Sequence, residues 1–164
     1  MTPQECFSLL YGTELLKEFP LQIGDYIIHP IEGRWTRDYD FALITSINKD
    51  ECTFGYVLKD GELFFSIDNN NNLMWHKLSH CAPDFMNPRM LDRVLGLIEE
   101  KGYALIIFPP NDDERCYTSF LTKDWNTNDM INSVYDKSFN GSTRSEAAVR
   151  ALLHVYGIKE AKHG

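Results

Sequence analysis

Apolar residues recur at helical spacing in three parts of the chain. They do so over residues 2–19 and 87–102, and again between Thr143 and Gly157. In the last segment the apolar positions share one helix face, as an amphipathic helix requires. Thr143 and Glu146 form a capping-box pattern at its start, and Gly157 is typical of a helix end.

Between the first two helices the pattern changes to short strand-like runs. Turn signals separate these runs, and the Asp60-Gly61 pair between two of them is a strong hairpin signal. Short strands joined by tight turns predict a small antiparallel β-barrel or a curled sheet. The five runs cover residues 25–29, 41–47, 52–58, 62–67 and 73–78.

After the second helix, the sequence predicts a β-hairpin followed by the last helix. Residues 103–108 are almost wholly apolar and residues 115–122 alternate, as expected for two paired strands. Residues 123–141 are polar and receive no assignment. The predicted fold class is α+β, with an N-terminal small antiparallel β-barrel or sheet followed by a helix–β-hairpin–helix layer. Two domains are predicted, residues 1–82 and residues 83–164.

The charge balance of the 164 residues argues against nucleic acid as a partner. The chain has a net charge of −8 and its first domain is the more acidic, with 6 basic against 12 acidic side chains in residues 1–82. A negative chain repels a phosphate backbone. No apolar run approaches the roughly 20 residues that span a bilayer, and no signal-peptide pattern opens the chain. We therefore expect no nucleic-acid or membrane partner, and reduced cysteines in a cytoplasm.

Motifs for catalysis and metal binding are incomplete. The sequence contains no GxSxG elbow, Walker loop or HExxH pattern. His76, His80 and Cys81 lack further zinc ligands at a readable spacing, and residues 68–72 are not followed by the glycine and glutamate of a calcium loop. We therefore predict a non-enzymatic protein without a catalytic residue, metal or cofactor. A hydrolase that uses one of the four cysteines with a histidine stays open as an alternative.

One candidate ligand site lies where the last predicted helix begins. Ser142, Thr143, Arg144 and Ser145 combine hydroxyl groups and a guanidinium with the backbone N–H groups of a helix N-terminus. Such a combination can bind an anion such as a phosphate. A plain capping box with one surface arginine explains the same residues, and that alternative also stays open.

A second candidate site lies in the polar and aromatic loop of residues 30–40. Arg34 and Arg37 flank Trp35, and two cations beside an indole can hold a phosphate and stack a base. The alternative is an exposed loop whose tryptophan packs back onto the sheet.

Two stretches resemble phage proteins. The run STRSEAAVRALL at residues 142–153, preceded by a helix and a hairpin, resembles the C-terminal segment of small phage and prophage proteins with the phage ABA-sandwich domain, over residues 87–160. The front, from IGDYI at residues 23–27 to LMWHK at residues 73–77, is similar to small-barrel modules of prophage-encoded proteins. The resemblance implies an accessory viral protein, and small phage proteins of this size include oligomeric sponges that sequester nucleotide second messengers of bacterial defence.

The sequence therefore predicts a non-enzymatic binding protein of phage type in the cytoplasm of a bacterial host. The preferred ligand is a phosphate-bearing nucleotide, held by the two candidate sites together, with a homo-oligomer left open. Arg144 would pair with phosphate, Thr143 and Ser145 would donate hydrogen bonds, and Trp35 would stack. The alternative is an acidic protein-interaction module that inhibits a host defence protein, because the acidic first domain suits a basic partner surface.

Overall fold

The computed structural model of this chain describes residues 1–28, 39–58, 60–65, 67–123 and 137–160. Over these residues the protein is a mixed α+β fold with one six-stranded and one three-stranded antiparallel sheet. The predicted α+β class is confirmed. No helix in the described ranges is long and apolar enough to cross a bilayer.

The described elements form two compact units, one of residues 11–84 and one of residues 1–10 with residues 85–164. Short 3-10 helices lie at Leu78–His80 and Pro88–Met90. In chain order the other elements are α1 (Pro3–Leu10), α2 (Glu14–Glu18), β1 (Tyr26–Ile28), β2 (Tyr39–Asn48), β3 (Glu51–Leu58), β4 (Leu63–Phe65), β5 (His76–Lys77), β6 (Ala82–Pro83), α3 (Leu91–Glu100), β7 (Ala104–Phe108), β8 (Tyr117–Thr122), β9 (Lys137–Gly141) and α4 (Arg144–Val155).

The unit of residues 11–84 is built on the six-stranded sheet. Its strands follow the order β4-β3-β2-β1-β6, and β5 pairs with the start of β3. The hairpin predicted at Asp60-Gly61 is confirmed, since β3 and β4 pair antiparallel across it. Strands β4 and β6 lie at opposite ends and do not pair with each other, so the sheet is open over the described residues. Of the two predicted forms, the antiparallel sheet is confirmed and the barrel is not.

One face of this sheet carries a hydrophobic core. Because side chains alternate along a strand, Cys52 and Phe54 of β3 point to the same face, where they meet Ile44 of β2. All three are fully buried, and Ile27, Ala42 and Cys81 complete the cluster of buried residues. Strand β4 lies at the margin of this core, and its three residues are all exposed.

The second unit packs α3 and α4 against the sheet β7-β8-β9. The predicted hairpin of this unit is confirmed by the antiparallel pairing of β7 with β8. Ser119 of β8 donates a hydrogen bond of 2.8 Å to the backbone carbonyl of Ala147, which ties the sheet to α4. Gly141 ends β9 so close to α4 that a Cβ there would collide with the Ala147 backbone nitrogen. Only glycine fits this approach.

Several elements differ from the sequence prediction. The helix predicted over residues 2–19 is interrupted between α1 and α2, where Gly12 takes a positive φ of 79°. Strand β9 lies in residues 123–141, which received no assignment, and it adds a third strand to the predicted hairpin. Of the run at residues 73–78, only His76–Lys77 forms a strand.

Helix α1 groups with the second unit, whereas the sequence analysis places residues 1–10 in the first domain. A long-range contact accounts for the difference. The α-ammonium group of Met1 donates a hydrogen bond of 2.9 Å to Glu146 of α4. Local sequence patterns carry no information about a contact between residues so far apart along the chain.

Candidate functional site

The start of α4 is satisfied by nearby side chains of the same segment. Thr143 is the N-cap, and its hydroxyl accepts a hydrogen bond of 3.1 Å from the backbone nitrogen of Glu146. The Glu146 Oε2 atom accepts hydrogen bonds from the nitrogen and Oγ of Ser142, at 3.0 and 2.6 Å. The predicted N-cap is confirmed. Two backbone N–H groups that an anion would use at this helix end are therefore already bonded within the protein.

Glu146 places a buried negative charge at this point. Its side chain is 5% exposed, and Oε1 lies 2.9 Å from the Met1 ammonium group and 3.0 Å from the Arg150 guanidinium. Burial would raise the pKa of Glu146, but hydrogen bonds from Ser142 and from the ammonium group outweigh burial and lower the pKa from 4.5 to about 2. The carboxylate is therefore ionised at neutral pH, and its charge disfavours a second anion close by.

The four residues of the first predicted ligand site differ in exposure. Ser142, Thr143 and Arg144 are exposed, whereas Ser145 is buried and does not present its hydroxyl to solvent. The guanidinium of Arg144 lies 5.8 Å from the ring centre of Tyr117, and it forms no ion pair with a carboxylate of the described residues. One exposed cation therefore remains beside the satisfied helix end.

The second predicted ligand group, Arg34, Trp35 and Arg37, lies outside the described residues, so its proximity to α4 stays a prediction. A cavity of about 440 Å³ lies instead at the end of α3 and the start of β7. Its charged lining residues are Glu99 and Lys123, and none of the predicted ligand residues lines it. This cavity offers one positive and one negative group, a mixed lining that does not select for an anion.

The residues considered for metal binding take part in local packing. Among the described residues, no group of three or more histidine, cysteine or acidic side chains could hold a metal ion. The ring of His76 lies 4.3 Å from that of Phe54, and burial together with the neighbouring His80 lowers the pKa of His76. Asp68 accepts hydrogen bonds of 2.8 and 3.0 Å from two backbone N–H groups of its own turn. It stabilises a polar hairpin turn there.

A run of exposed apolar side chains follows the β3–β4 hairpin. Strand β4 supplies three of them, and an antiparallel bridge joins the chain on either side of the next turn. Their side chains are between 39% and 51% exposed, which is unusual for large apolar residues so close together. We call them the apolar segment, and its members are Leu63, Phe64, Phe65, Ile67, Leu73, Met74 and Trp75.

The pairing of β4 explains why this segment stays at the surface. Leu63 and Phe65 share one face of the strand, opposite the face that carries the core. Leu63 lies over Gly55 of β3, where a Cβ would come 2.7 Å from the Leu63 Cδ1 atom. Among the described residues β4 pairs with β3 and no other strand, so it forms the end of the sheet. The sequence therefore places apolar side chains on the outer face of an end strand.

The charges within residues 60–75 all have one sign. Asp60, Glu62 and Asp68 are exposed, and residues 60–75 contain no lysine or arginine. The segment therefore combines seven apolar side chains with three exposed carboxylates that are close to them in the sequence, and we call these carboxylates the acidic rim. Large apolar groups bordered by charge of one sign are typical of a protein-binding surface.

Sequence reasoning assigned residues 62–67 and 73–78 to strands and gave them no role. Apolar runs are usually read as core, because most of them are buried. The signal that could have identified this surface is the absence of alternation in the run of Leu63, Phe64 and Phe65. A strand with one buried face would show polar residues at every second position.

Comparisons of this chain with protein-family models, with curated proteins and with solved structures gave no match. The functional assignment therefore depends on the geometry and charge described above.

Proposed function

We propose that this chain is a non-enzymatic binding module that docks a basic partner protein through the apolar segment and its acidic rim. The observation that carries the proposal is the coincidence of seven exposed apolar side chains with three carboxylates and no cation in residues 60–75. This is the protein-interaction alternative of the sequence analysis, proposed here for one surface.

The apolar segment is large enough to contribute useful binding energy. Burying a side chain of this size completely is worth about 2 kcal/mol, so side chains that are half-exposed contribute about 1 kcal/mol each. Seven of them sum to about 7 kcal/mol before the cost of association is subtracted. Apolar burial alone therefore gives weak binding, and a charged partner surface would add rate and specificity.

The charge of the rim selects the type of partner. A second copy of this chain, docked through the same segment, would bring two sets of three carboxylates together. Like charges at an interface are unfavourable, whereas a surface with lysine or arginine around an apolar centre is complementary. The end strand β4 also suits a partner that adds an extended segment to the sheet.

A matched pair of charge variants tests this proposal. The variant Asp60→Asn/Glu62→Gln/Asp68→Asn neutralises the rim and retains oxygen atoms that can accept the turn hydrogen bonds. The control variant Asp112→Asn/Asp113→Asn/Glu114→Gln makes the same charge change on the exposed turn between β7 and β8. Both are immobilised beside the wild-type chain and exposed to a bacterial lysate, and the captured proteins are identified and quantified by mass spectrometry.

We expect one basic protein to be enriched on the wild-type chain and on the control. The rim variant should retain at least tenfold less of it. Equal capture by wild type and rim variant, or no protein above the level of empty beads, contradicts the proposal. Following the phage resemblance, we propose that this partner is a host protein, such as a defence protein, in the bacterial cytoplasm.

Nucleotide binding is the second candidate function, and one observation favours it. Arg144 is exposed next to the hydroxyls of Ser142 and Thr143 and forms no ion pair with a described carboxylate. The buried charge of Glu146 and the burial of Ser145 weigh against it. Isothermal titration with cyclic and ADP-ribose-type nucleotides tests this function, and the absence of heat from folded protein would exclude it for those ligands.

A further inference from the structure

We propose that Cys52 and Cys81 are a thiol pair that a hydroperoxide oxidises to an intramolecular disulfide. This modification site is independent of the proposed function, because it rests on the core of the first unit and not on the apolar segment. The two Sγ atoms lie 3.8 Å apart, and both residues are buried, at 0% and 6% exposure.

The backbone holds the two thiols on adjoining pieces of chain. Cys52 lies at the start of β3 and its register partner is His76 of β5. The chain then turns through a 3-10 helix to Cys81, and the backbone nitrogen of Leu78 donates a hydrogen bond of 2.8 Å to the carbonyl of Asp50, which directly precedes β3. A disulfide needs a separation of about 2.05 Å, so the sulfur atoms must approach by somewhat less than 2 Å.

The electrostatic environment distinguishes the two thiols. The hydrogen bond from Cys81 lowers the pKa of Cys52, and the same bond together with burial raises the pKa of Cys81. The lowered pKa favours Cys52 as the thiol that attacks the oxidant first, with Cys81 as the thiol that resolves the product.

The reaction balances with hydrogen peroxide as the oxidant. The Cys52 sulfur attacks one peroxide oxygen, the O–O bond breaks, and Cys52 becomes a sulfenic acid as water leaves with the second oxygen. The Cys81 sulfur then attacks the Cys52 sulfur, the S–O bond breaks and a second water leaves. Overall, two thiols and one hydrogen peroxide give one disulfide and two waters, so the sulfur atoms lose the two electrons that the peroxide oxygens gain.

The disulfide would close a loop that contains the entire apolar segment. The apolar segment, residues 63–75, lies between Cys52 and Cys81 in the chain. The cross-link would therefore join the two ends of residues 52–81, which contain this segment. Closing a loop of this kind restricts the unfolded chain more than the folded one, so oxidation should stabilise the protein.

The test treats the full chain with a small excess of hydrogen peroxide and counts thiols. Four free cysteines are present before treatment. We expect two to be lost, the mass to fall by about 2 Da as two hydrogens leave, and trypsin to release peptides 50–59 and 78–89 joined together. The urea midpoint should rise by about 1 M.

Single alanine variants identify the pair. Cys52→Ala and Cys81→Ala should not form the cross-link, whereas the controls Cys6→Ala and Cys116→Ala should form it as the wild type does. If the folded wild-type chain keeps all four thiols, or if the main product joins Cys116 of two chains, the proposal is wrong. The wild-type peptide map decides the matter even if a core variant does not fold.

Discussion

Replacing Glu146 with glutamine removes the buried negative charge at the start of α4 and nearly preserves its shape. The carboxylate accepts hydrogen bonds from Ser142 and Met1, and it also forms an ion pair with Arg150. A glutamine amide offers one oxygen and one NH₂ group where two oxygens now face donors. Among the described carboxylates, the variant leaves the Met1 ammonium with Glu5 alone, at 4.0 Å, and the Arg150 guanidinium with Glu160 alone, and it points a donor at another donor.

The lowered pKa gives the size of the effect. A shift of the Glu146 pKa from 4.5 to about 2 corresponds to about 3 kcal/mol of stability for the ionised form. A group whose pKa is lowered by folding contributes this stability above its ordinary pKa. The contribution is lost as the pH falls from about 4.5 to about 2. We therefore expect Glu146→Gln to lower the free energy of unfolding by about 2–4 kcal/mol at pH 7.

Urea unfolding of both proteins between pH 7 and pH 2 measures this difference. The gap between wild type and Glu146→Gln should narrow to about 1 kcal/mol at pH 2, because the wild-type carboxylate is then half protonated in the folded protein and almost fully protonated in the unfolded chain. The control is Glu114→Gln, which changes an exposed carboxylate in the β7–β8 turn and should leave stability within about 0.5 kcal/mol of wild type. If Glu146→Gln is as stable as wild type at pH 7, or if the difference in stability between the two proteins is the same at every pH, then the ionised Glu146 carboxylate does not stabilise the fold.

Three further predictions concern other parts of the structure. Gly141→Ala should lower the free energy of unfolding, measured by urea titration, by more than about 2 kcal/mol, because its Cβ meets the backbone of α4. The control Gly96→Ala places its Cβ in open space on α3 and should raise the free energy of unfolding by up to about 1 kcal/mol. Phe65→Ser should reduce Nile red fluorescence on the native protein and change stability by no more than about 1 kcal/mol, since the side chain is already exposed; unchanged fluorescence would count against an accessible apolar segment. If any nucleotide gives heat by calorimetry, Arg144→Ala should weaken its binding at least tenfold, and equal affinity would remove Arg144 from the site.

Local sequence information predicts the elements of this fold better than their contacts. The capping role of Thr143 was predictable because the cap and Glu146 lie three residues apart. The partner of Glu146 across the fold is Met1, 145 residues away, and no local pattern encodes that contact. Strand β9 was missed for a related reason. Its five residues have one large apolar side chain, Phe139, and pairing with β8 rather than intrinsic propensity makes them a strand.

The candidate surface was harder to predict than the fold. The strand of Leu63, Phe64 and Phe65 was predicted from its β-forming residues, and a strand is found there. The absence of alternation in these residues fits exposure as well as burial on both faces, because burial depends on whether a further strand covers the edge. The carboxylates of Asp60, Glu62 and Asp68 are visible in the sequence next to this run, but the exposure of the apolar side chains beside them required the fold.

The most direct test of the proposed docking surface is the affinity of the captured partner for the wild-type chain, the rim variant and the control variant at increasing salt concentration. If the acidic rim contributes to docking, the rim variant should bind the captured partner at least tenfold more weakly than wild type at low salt, and this difference should shrink as salt screens the charges. The control variant should bind within twofold of wild type. Equal affinities for wild type and rim variant at every salt concentration would contradict the proposal that the acidic rim and apolar segment form the docking surface.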